Sequence, residues 1–237
     1  MRVWPKSNKV LNTVPLKDQV AFITGASRGI GQACAIAMAR AGAHCVLSAR
    51  NQAGLLNTDN EIRKNGNQAT LLPLDLSCSN RIDVLGPSIA ERFQRLDILV
   101  HAAFHFAPLS PIQHIHDTIW DQCLTANLTS CRRLIRTFYP LLNKSHKGRA
   151  IFVQGSTIPN AYWSHIVPIN AAIKALIECW QLEIASISNV KVSYITPLPT
   201  HTSLRTGFYP AEDKQNLLSP KQSAALILSS ILSEQAL

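Results

Sequence analysis

Residues 20–31, VAFITGASRGIG, constrain this chain more than any other stretch. Val20 to Ile23 are apolar and read as a short buried strand. A glycine-rich turn follows, and Gly31 opens the run QACAIAMARAGA, which reads as a helix. Strand, glycine turn and helix in that order predict the phosphate cradle of a dinucleotide-binding βαβ unit. Gly25 lets the chain leave the strand tightly. Gly29 lets a pyrophosphate approach the backbone, and Gly31 lets helix and strand pack closely. The phosphates would lie at a helix N-terminus, where unpaired N–H groups and the helix dipole favour negative charge. The glycine spacing is GxxxGxG and no Lys-Ser/Thr pair follows, so a nucleoside-triphosphate P-loop is not expected.

Beyond this unit the chain alternates. Strands are expected at 43–48, around ATLLPLDLS after Gly66, at 96–100, at 149–154 and at 190–197. Helices are expected at 52–66, 82–95, about 114–139 and from Pro168 onward. A last helix is expected in LSPKQSAALILSSIL, with Ser219 as N-cap and Pro220 at its first position. Such alternation predicts an α/β fold: a Rossmann-like, doubly wound parallel sheet with helices on both faces and right-handed crossovers. The second strand ends at Ala49-Arg50. An acid at this strand end would bind a ribose 2′-hydroxyl, whereas an arginine accommodates a 2′-phosphate. Arg50 here joins Arg28 of the glycine turn as a pair of cations, which favours NADP(H) over NAD(H).

TGASRGIG after a buried strand resembles the short-chain dehydrogenase/reductase family, and the resemblance runs from about Leu16 to Leu237. It implies that Ser27, Ile30, Leu76 and Ala102 line the cofactor beside the glycines, with Asp75 near the adenine ring and Thr202 at the cofactor amide. It also implies a seventh strand, which this sequence lacks, so six strands are expected. The family's Asn-Ala-Gly turn is replaced by Ala102-Ala103-Phe104 after His101, and Phe104 would crowd the nicotinamide ribose. Asn127 matches the family's helix asparagine, which holds a water in a proton relay. Ser156 matches the family serine after the fifth strand, with Thr157 and Gly155 as alternatives.

The family's acid–base pair is Tyr-x-x-x-Lys, and no tyrosine of this chain has a lysine four residues on. Two registers compete. Anchored on Lys174, the Tyr place falls on Asn170. Anchored on Glu183, thirteen residues beyond the Lys place, the Lys place falls on Asn170 and the Tyr place on Ile166, and this register is preferred. Pro168, lacking an N–H, belongs in a first helical turn and leaves position 166 outside the helix. Ordinary hydride transfer with a tyrosine acid is therefore not expected. The substitutes considered are Tyr162 or His165 as proton donor and Lys174 as cation. Residues 203–218 read as a mobile substrate loop.

Composition narrows the rest. At 237 residues, 46% hydrophobic and 16% charged, the chain reads as one domain over residues 16–237 behind a basic arm at 1–15. The arm carries Arg2, Lys6 and Lys9; the expected location is the cytoplasm, with organellar targeting by the arm as the alternative. The net charge of +9 suits an anionic cofactor, substrate or acidic partner. The basic residues are scattered, so nucleic acid is not an expected partner. No apolar run is long enough for a membrane span. The six cysteines are dispersed and read as reduced core residues. His114-x-His116 has no third ligand nearby, so no metal is expected. The expected function is an NADP(H)-binding oxidoreductase by descent that is impaired in catalysis, acting as a pseudoenzyme or an assembly subunit or homo-oligomer. The alternative is an active carbonyl reductase with a rebuilt proton donor.

Overall fold

The structure, a computed structural model, describes residues 14–233, the side chain of residue 79 excepted. The expected arm at residues 1–15 lies outside this range except for its last two positions. The elements in chain order are β1 (Val20–Thr24), α1 (Gly29–Arg40), β2 (His44–Ala49), α2 (Gln52–Arg63), β3 (Ala69–Pro73), α3 (Ser79–Asp83), α4 (Leu85–Phe93) and β4 (Ile98–His101). Then follow α5 (Asp117–Cys123), a π-helical segment (Leu124–Thr129), α6 (Ser130–Leu142), β5 (Arg149–Val153), α7 (Val167–Ile184), β6 (Lys191–Ile195), α8 (Ser203–Phe208) and α9 (Pro220–Ser233).

The six strands form one parallel sheet in the order β3-β2-β1-β4-β5-β6. This is the expected Rossmann-like α/β fold. β1, β4 and β5 are buried along their whole length, because helices cover both faces and apolar residues are needed on both. Phe22, Leu99 and Phe152 face one layer with Leu134, Phe138, Ile173 and Trp180. Ile23, Val100, Ile151 and Val153 face the other with Met38, Leu55 and Ile227. Side chains alternate between the two layers with the strand's period of two. No helix among the described residues is long and apolar enough to cross a membrane. Of the cysteines, Cys34, Cys45, Cys123 and Cys131 are buried as expected, but Cys78 and Cys179 are exposed.

Three expected elements differ. The helix at 82–95 is two helices, α3 and α4, and Pro87 sits in the first turn of α4, where its missing N–H breaks no helical bond. The long helix at 114–139 runs instead over Asp117–Leu142, with the π segment in its middle. The loop at 203–218 contains α8 and a 3₁₀ turn at Lys214–Asn216. The Thr202 hydroxyl caps α8 by accepting from Arg205 N at 3.2 Å. Ser219 and Gln222 exchange hydrogen bonds in a capping box that starts α9.

Candidate functional site

A cavity of about 930 Å³ opens at the carboxyl ends of the strands. It spans the point where strand order reverses between β1 and β4, the crevice in which open α/β sheets receive ligands. Every strand reaches it: Gly25 after β1, Ala49 and Arg50 at β2, Asp75 after β3, Ala102 after β4, Gln154 after β5 and Thr196 after β6. Gly25, Ser27, Arg28, Gly29, Ile30, Gly31, Arg50, Asp75, Leu76, Ala102 and Thr202 all line it.

At the glycine end, Gly25 adopts φ +69°, and a Cβ there would stand 2.9 Å from the Ala102 and Ala103 backbone. A Cβ on Gly31 would run into the Gly25 carbonyl. Turn, first helix and the segment after β4 therefore close on one another only because side chains are missing. Arg28 and Arg50 are exposed at this rim, and neither enters an ion pair among the described residues. Asp75 is partly buried, which works against its charge. The Ser77 N–H and hydroxyl, at 2.9 and 2.8 Å, together with the charges of Arg50 and His105, outweigh burial and hold its carboxyl below the usual range. Burial and then Arg50 push the His105 imidazole down, and the Asp75 carboxylate pulls it partly back.

Between the ends lies a buried hydrogen-bond knot. The Thr24 hydroxyl accepts the N–H groups of Ala102 and Ala103, each at 3.1 Å. Both lone pairs being used, its own proton goes to His101 Nδ1 at 2.8 Å. Neutral His101 then carries its hydrogen on Nε2, and burial drives its pKa down to about 4. The Asn127 amide likewise pins the following segment, accepting His105 N at 2.6 Å and donating to His105 O at 2.9 Å. Asn127 sits in the π segment and is 1% exposed; its neighbour Ala126, not Asn127, lines the cavity. Phe104 meets Phe106 in a tilted contact with centroids 4.6 Å apart, rests against the core and lines the cavity.

At the far end, Ser156, Ile166 and Asn170 line the same cavity. The helix α7 begins at Val167 with Pro168 in its first turn, as expected, and Asn170 N already donates to Ile166 O at 3.0 Å. Residue 166 thus shares the face of residue 170 although it precedes the helix. Asn170 Nδ2 donates to the Ser156 carbonyl at 3.1 Å, and Gly155 leaves the room for it. The Ser156 hydroxyl accepts Ile158 N at 3.0 Å. The considered substitutes lie elsewhere. Tyr162 is 57% exposed and does not line the cavity. Lys174 points to solvent and pairs with Glu178 at 3.6 Å. His165 is buried with Nε2 on the Ala107 carbonyl at 3.1 Å. Gly155 lines the cavity and Thr157 does not.

Two features went unread in the sequence. One is an aromatic wall: Phe106 meets Phe208 at 5.3 Å, Phe208 meets Trp163 at 5.3 Å, and Trp163 stacks on Tyr209 at 6.1 Å. Arg205 lies 4.9 Å over the Tyr209 ring and is held by Glu212, with Nε to Oε2 at 2.6 Å. The other is Gln154, 2% exposed, whose Oε1 and Nε2 find no partner among the described residues. Its signal was a glutamine closing an otherwise apolar strand.

A glycine turn between a buried strand and a helix, set at the switch point of a parallel sheet, defines the Rossmann-like class. The chain belongs to the short-chain dehydrogenase family, whose profile matches residues 19–213. It is 29% identical over 218 residues to the Escherichia coli oxidoreductase YciK, covering 90% of this chain and 86% of that protein. It is 30% identical over 227 residues to a fatty acyl-CoA reductase of Acinetobacter baylyi, covering 92% and 74%. Among solved structures, a Shigella flexneri short-chain dehydrogenase complexed with NADP superposes with TM-score 0.85 at 28% identity over 93% of this chain and 92% of that one. An Escherichia coli short-chain dehydrogenase complexed with NADPH gives TM-score 0.86 at 28% identity over 91% of each.

Proposed function

We propose that residues 16–237 act as one domain that binds NADP(H) and is impaired in turnover, working through its bound state as a pseudoenzyme or a subunit of an assembly. The reading rests on the unequal condition of the two cavity ends. The glycine cradle has the room that only missing Cβ atoms leave; Arg28 in the turn and Arg50 after β2 stand at its rim outside any ion pair among the described residues, and no acid closes β2 itself. Ile166 and Asn170 stand where the family's acid and cation are expected, and neither can give a proton to a carbonyl.

In this reading Gly25, Gly29 and Gly31 receive the pyrophosphate, and Arg28 and Arg50 hold the 2′-phosphate by charge-assisted hydrogen bonds. Asp75 and Leu76 border the adenine, and Thr202 meets the amide end. The cofactor supplies hydride when bound. Family relatives solved with NADP and NADPH support the choice of the phosphorylated dinucleotide. The competing reading, an active carbonyl reductase, needs Tyr162 or His165 as acid, and the first is at the surface while the second faces Ala107.

The test is a fluorescence titration with NADPH and NADH, repeated on Arg50→Ala. NADPH is expected to bind more tightly than NADH, and the variant to lose about tenfold for NADPH alone. Binding of neither nucleotide overturns the assignment. A second measurement follows NADPH absorbance with a panel of carbonyl compounds. Turnover that disappears in both Ser156→Ala and Tyr162→Phe would establish the active enzyme instead.

A further inference from the structure

The aromatic end of the cavity holds two buried amides with unmet hydrogen-bonding capacity. Gln154 is 2% exposed, lines the cavity, and has no partner for Oε1 or Nε2 among the described residues. Asn170 is 1% exposed; its Nδ2 is committed to Ser156, while Oδ1 is unpartnered. A buried amide that gives up water and gains nothing is expensive, so native structures satisfy such groups with protein, water or ligand. The cavity is the side from which a partner can come.

The surroundings restrict what that partner is. Phe104, Phe106, Trp163, Ile166 and Phe208 supply flat apolar surface. The one lysine or arginine at this end among the described residues, Arg205, is paired with Glu212, and the guanidinium holds the Glu212 carboxyl below the usual range. A carboxylate entering here would be stripped of water, would meet no free positive charge, and would face the carbonyl dipoles of Gln154 and Asn170. A ketone or ester offers no donor to either carbonyl. A carboxamide offers one acceptor and two donors in a single plane, matching the Nε2–H and Oε1 of Gln154 and the Oδ1 of Asn170.

We propose that this end of the cavity binds an uncharged, flat, apolar molecule carrying one primary carboxamide, which pairs with the side-chain amide of Gln154. Gln154 is then the specificity-determining residue, and the aromatic wall supplies the area. The proposal rests on the dinucleotide reading in placing the cofactor at the glycine end, while the amide contact itself does not depend on it.

The experiment uses the full chain with saturating NADP⁺ and calorimetric titration of three probes of one shape: naphthalenecarboxamide, naphthalenecarboxylate and acetonaphthone. The carboxamide is expected to bind about tenfold more tightly than either other probe, the effect of one neutral hydrogen-bonded pair. Gln154→Met should erase the ranking by weakening the carboxamide most, and Gln154→Leu serves if the first variant does not fold. Phe106→Ala should weaken all three probes by a similar factor and keep the ranking. No preference for the carboxamide, or a preference that survives in Gln154→Met, overturns the proposal. The titrations are repeated without NADP⁺. If the chain binds no dinucleotide and the Gln154-dependent preference is present, the dinucleotide reading fails and this one stands. If NADP⁺ displaces the carboxamide and Gln154→Met weakens NADP⁺ itself, the residue faces the cofactor's own amide and this inference fails.

Discussion

The two ends of the cavity are built by opposite means. At the glycine end much of the surface is the backbone of the turn after β1, closed by the segments after β2, β3 and β4, and its charges are Arg28, Arg50 and the Asp75 carboxylate. At the other end the surface is side chain, gathered from the segments after β4 and β5 and from α8, and its one arginine is neutralised by Glu212. The first end suits any dianionic phosphate that fits the turn. The second discriminates by shape and by neutral hydrogen bonds. A protein can therefore keep one end while the other changes, since a fold carries its cradle independently of the chemistry beside it.

The contrast breaks most sharply if the family pair is put back. Ile166 and Asn170 already share a cavity face, and so Ile166→Tyr with Asn170→Lys places phenol and ammonium one turn apart. NADPH consumption with a ketone is expected to rise by about a hundredfold or more over the parent, the usual scale of a positioned acid. Initial rates by absorbance check it. A flat rate in a variant that still binds NADPH means that the far end is rebuilt beyond those two positions.

The Thr24–His101 knot joins the ends and gives the second prediction. In the folded chain His101 has its pKa lowered from 6.5 to about 4 by burial, so the folded state resists the proton that the unfolded chain accepts. Stability is full above pH 6.5 and is lost as pH falls through the window down to about 4. The loss attributable to this residue is on the order of 3 kcal/mol. Urea midpoints across that window measure it, and His101→Asn should flatten the slope. An unchanged slope in His101→Asn would show that the histidine is solvated and that the two ends are not tied through it.

Smaller is the effect of removing charge at the glycine end. Arg28→Ala with Arg50→Ala should cost NADPH binding about 2 kcal/mol and leave NADH nearly unaffected. Equal losses for both nucleotides would mean that the arginines bind the shared pyrophosphate, and the distinction between NADP and NAD would have to come from elsewhere.

What the sequence reveals follows the same division. The six strands, the two-sided helical cover and the start of α7 with Pro168 in its first turn are all legible, because each rests on local patterns: apolar runs, glycine turns and a proline without an N–H. The tight glycine turn is legible for the same reason. Gln154 is not, since a polar residue closing a strand looks like its solvent end, whereas here it is 2% exposed. The aromatic wall has no sequence spacing; Phe104 and Tyr209 belong to it although more than a hundred residues lie between them. α8 carries no helical periodicity in SLRTGF and depends on the Thr202 cap and on Phe208 packing against Phe106 and Trp163. Asn127 is legible as a polar residue in mid-helix, but the π segment in which its amide meets His105 leaves no mark on residue spacing.

The smallest expected effects concern the residues offered as replacements for the missing pair. Tyr162 stands at φ +69° in a surface turn whose carbonyl accepts Ser110 N, and its ring is 57% exposed. Lys174 and Glu178 form an i,i+4 pair whose side chains are 47% and 55% exposed. Pairs of that kind contribute less than about 0.5 kcal/mol, and exposed substitutions away from special features change stability as little. Tyr162→Phe and Lys174→Ala should therefore leave the melting temperature, NADPH affinity and any residual turnover where they were. Should Tyr162→Phe abolish a measurable reductase activity, the turn must fold inward over the bound cofactor. The aromatic end would then be a working active site closed by its own loop, and the inequality of the two ends would belong to the free protein alone.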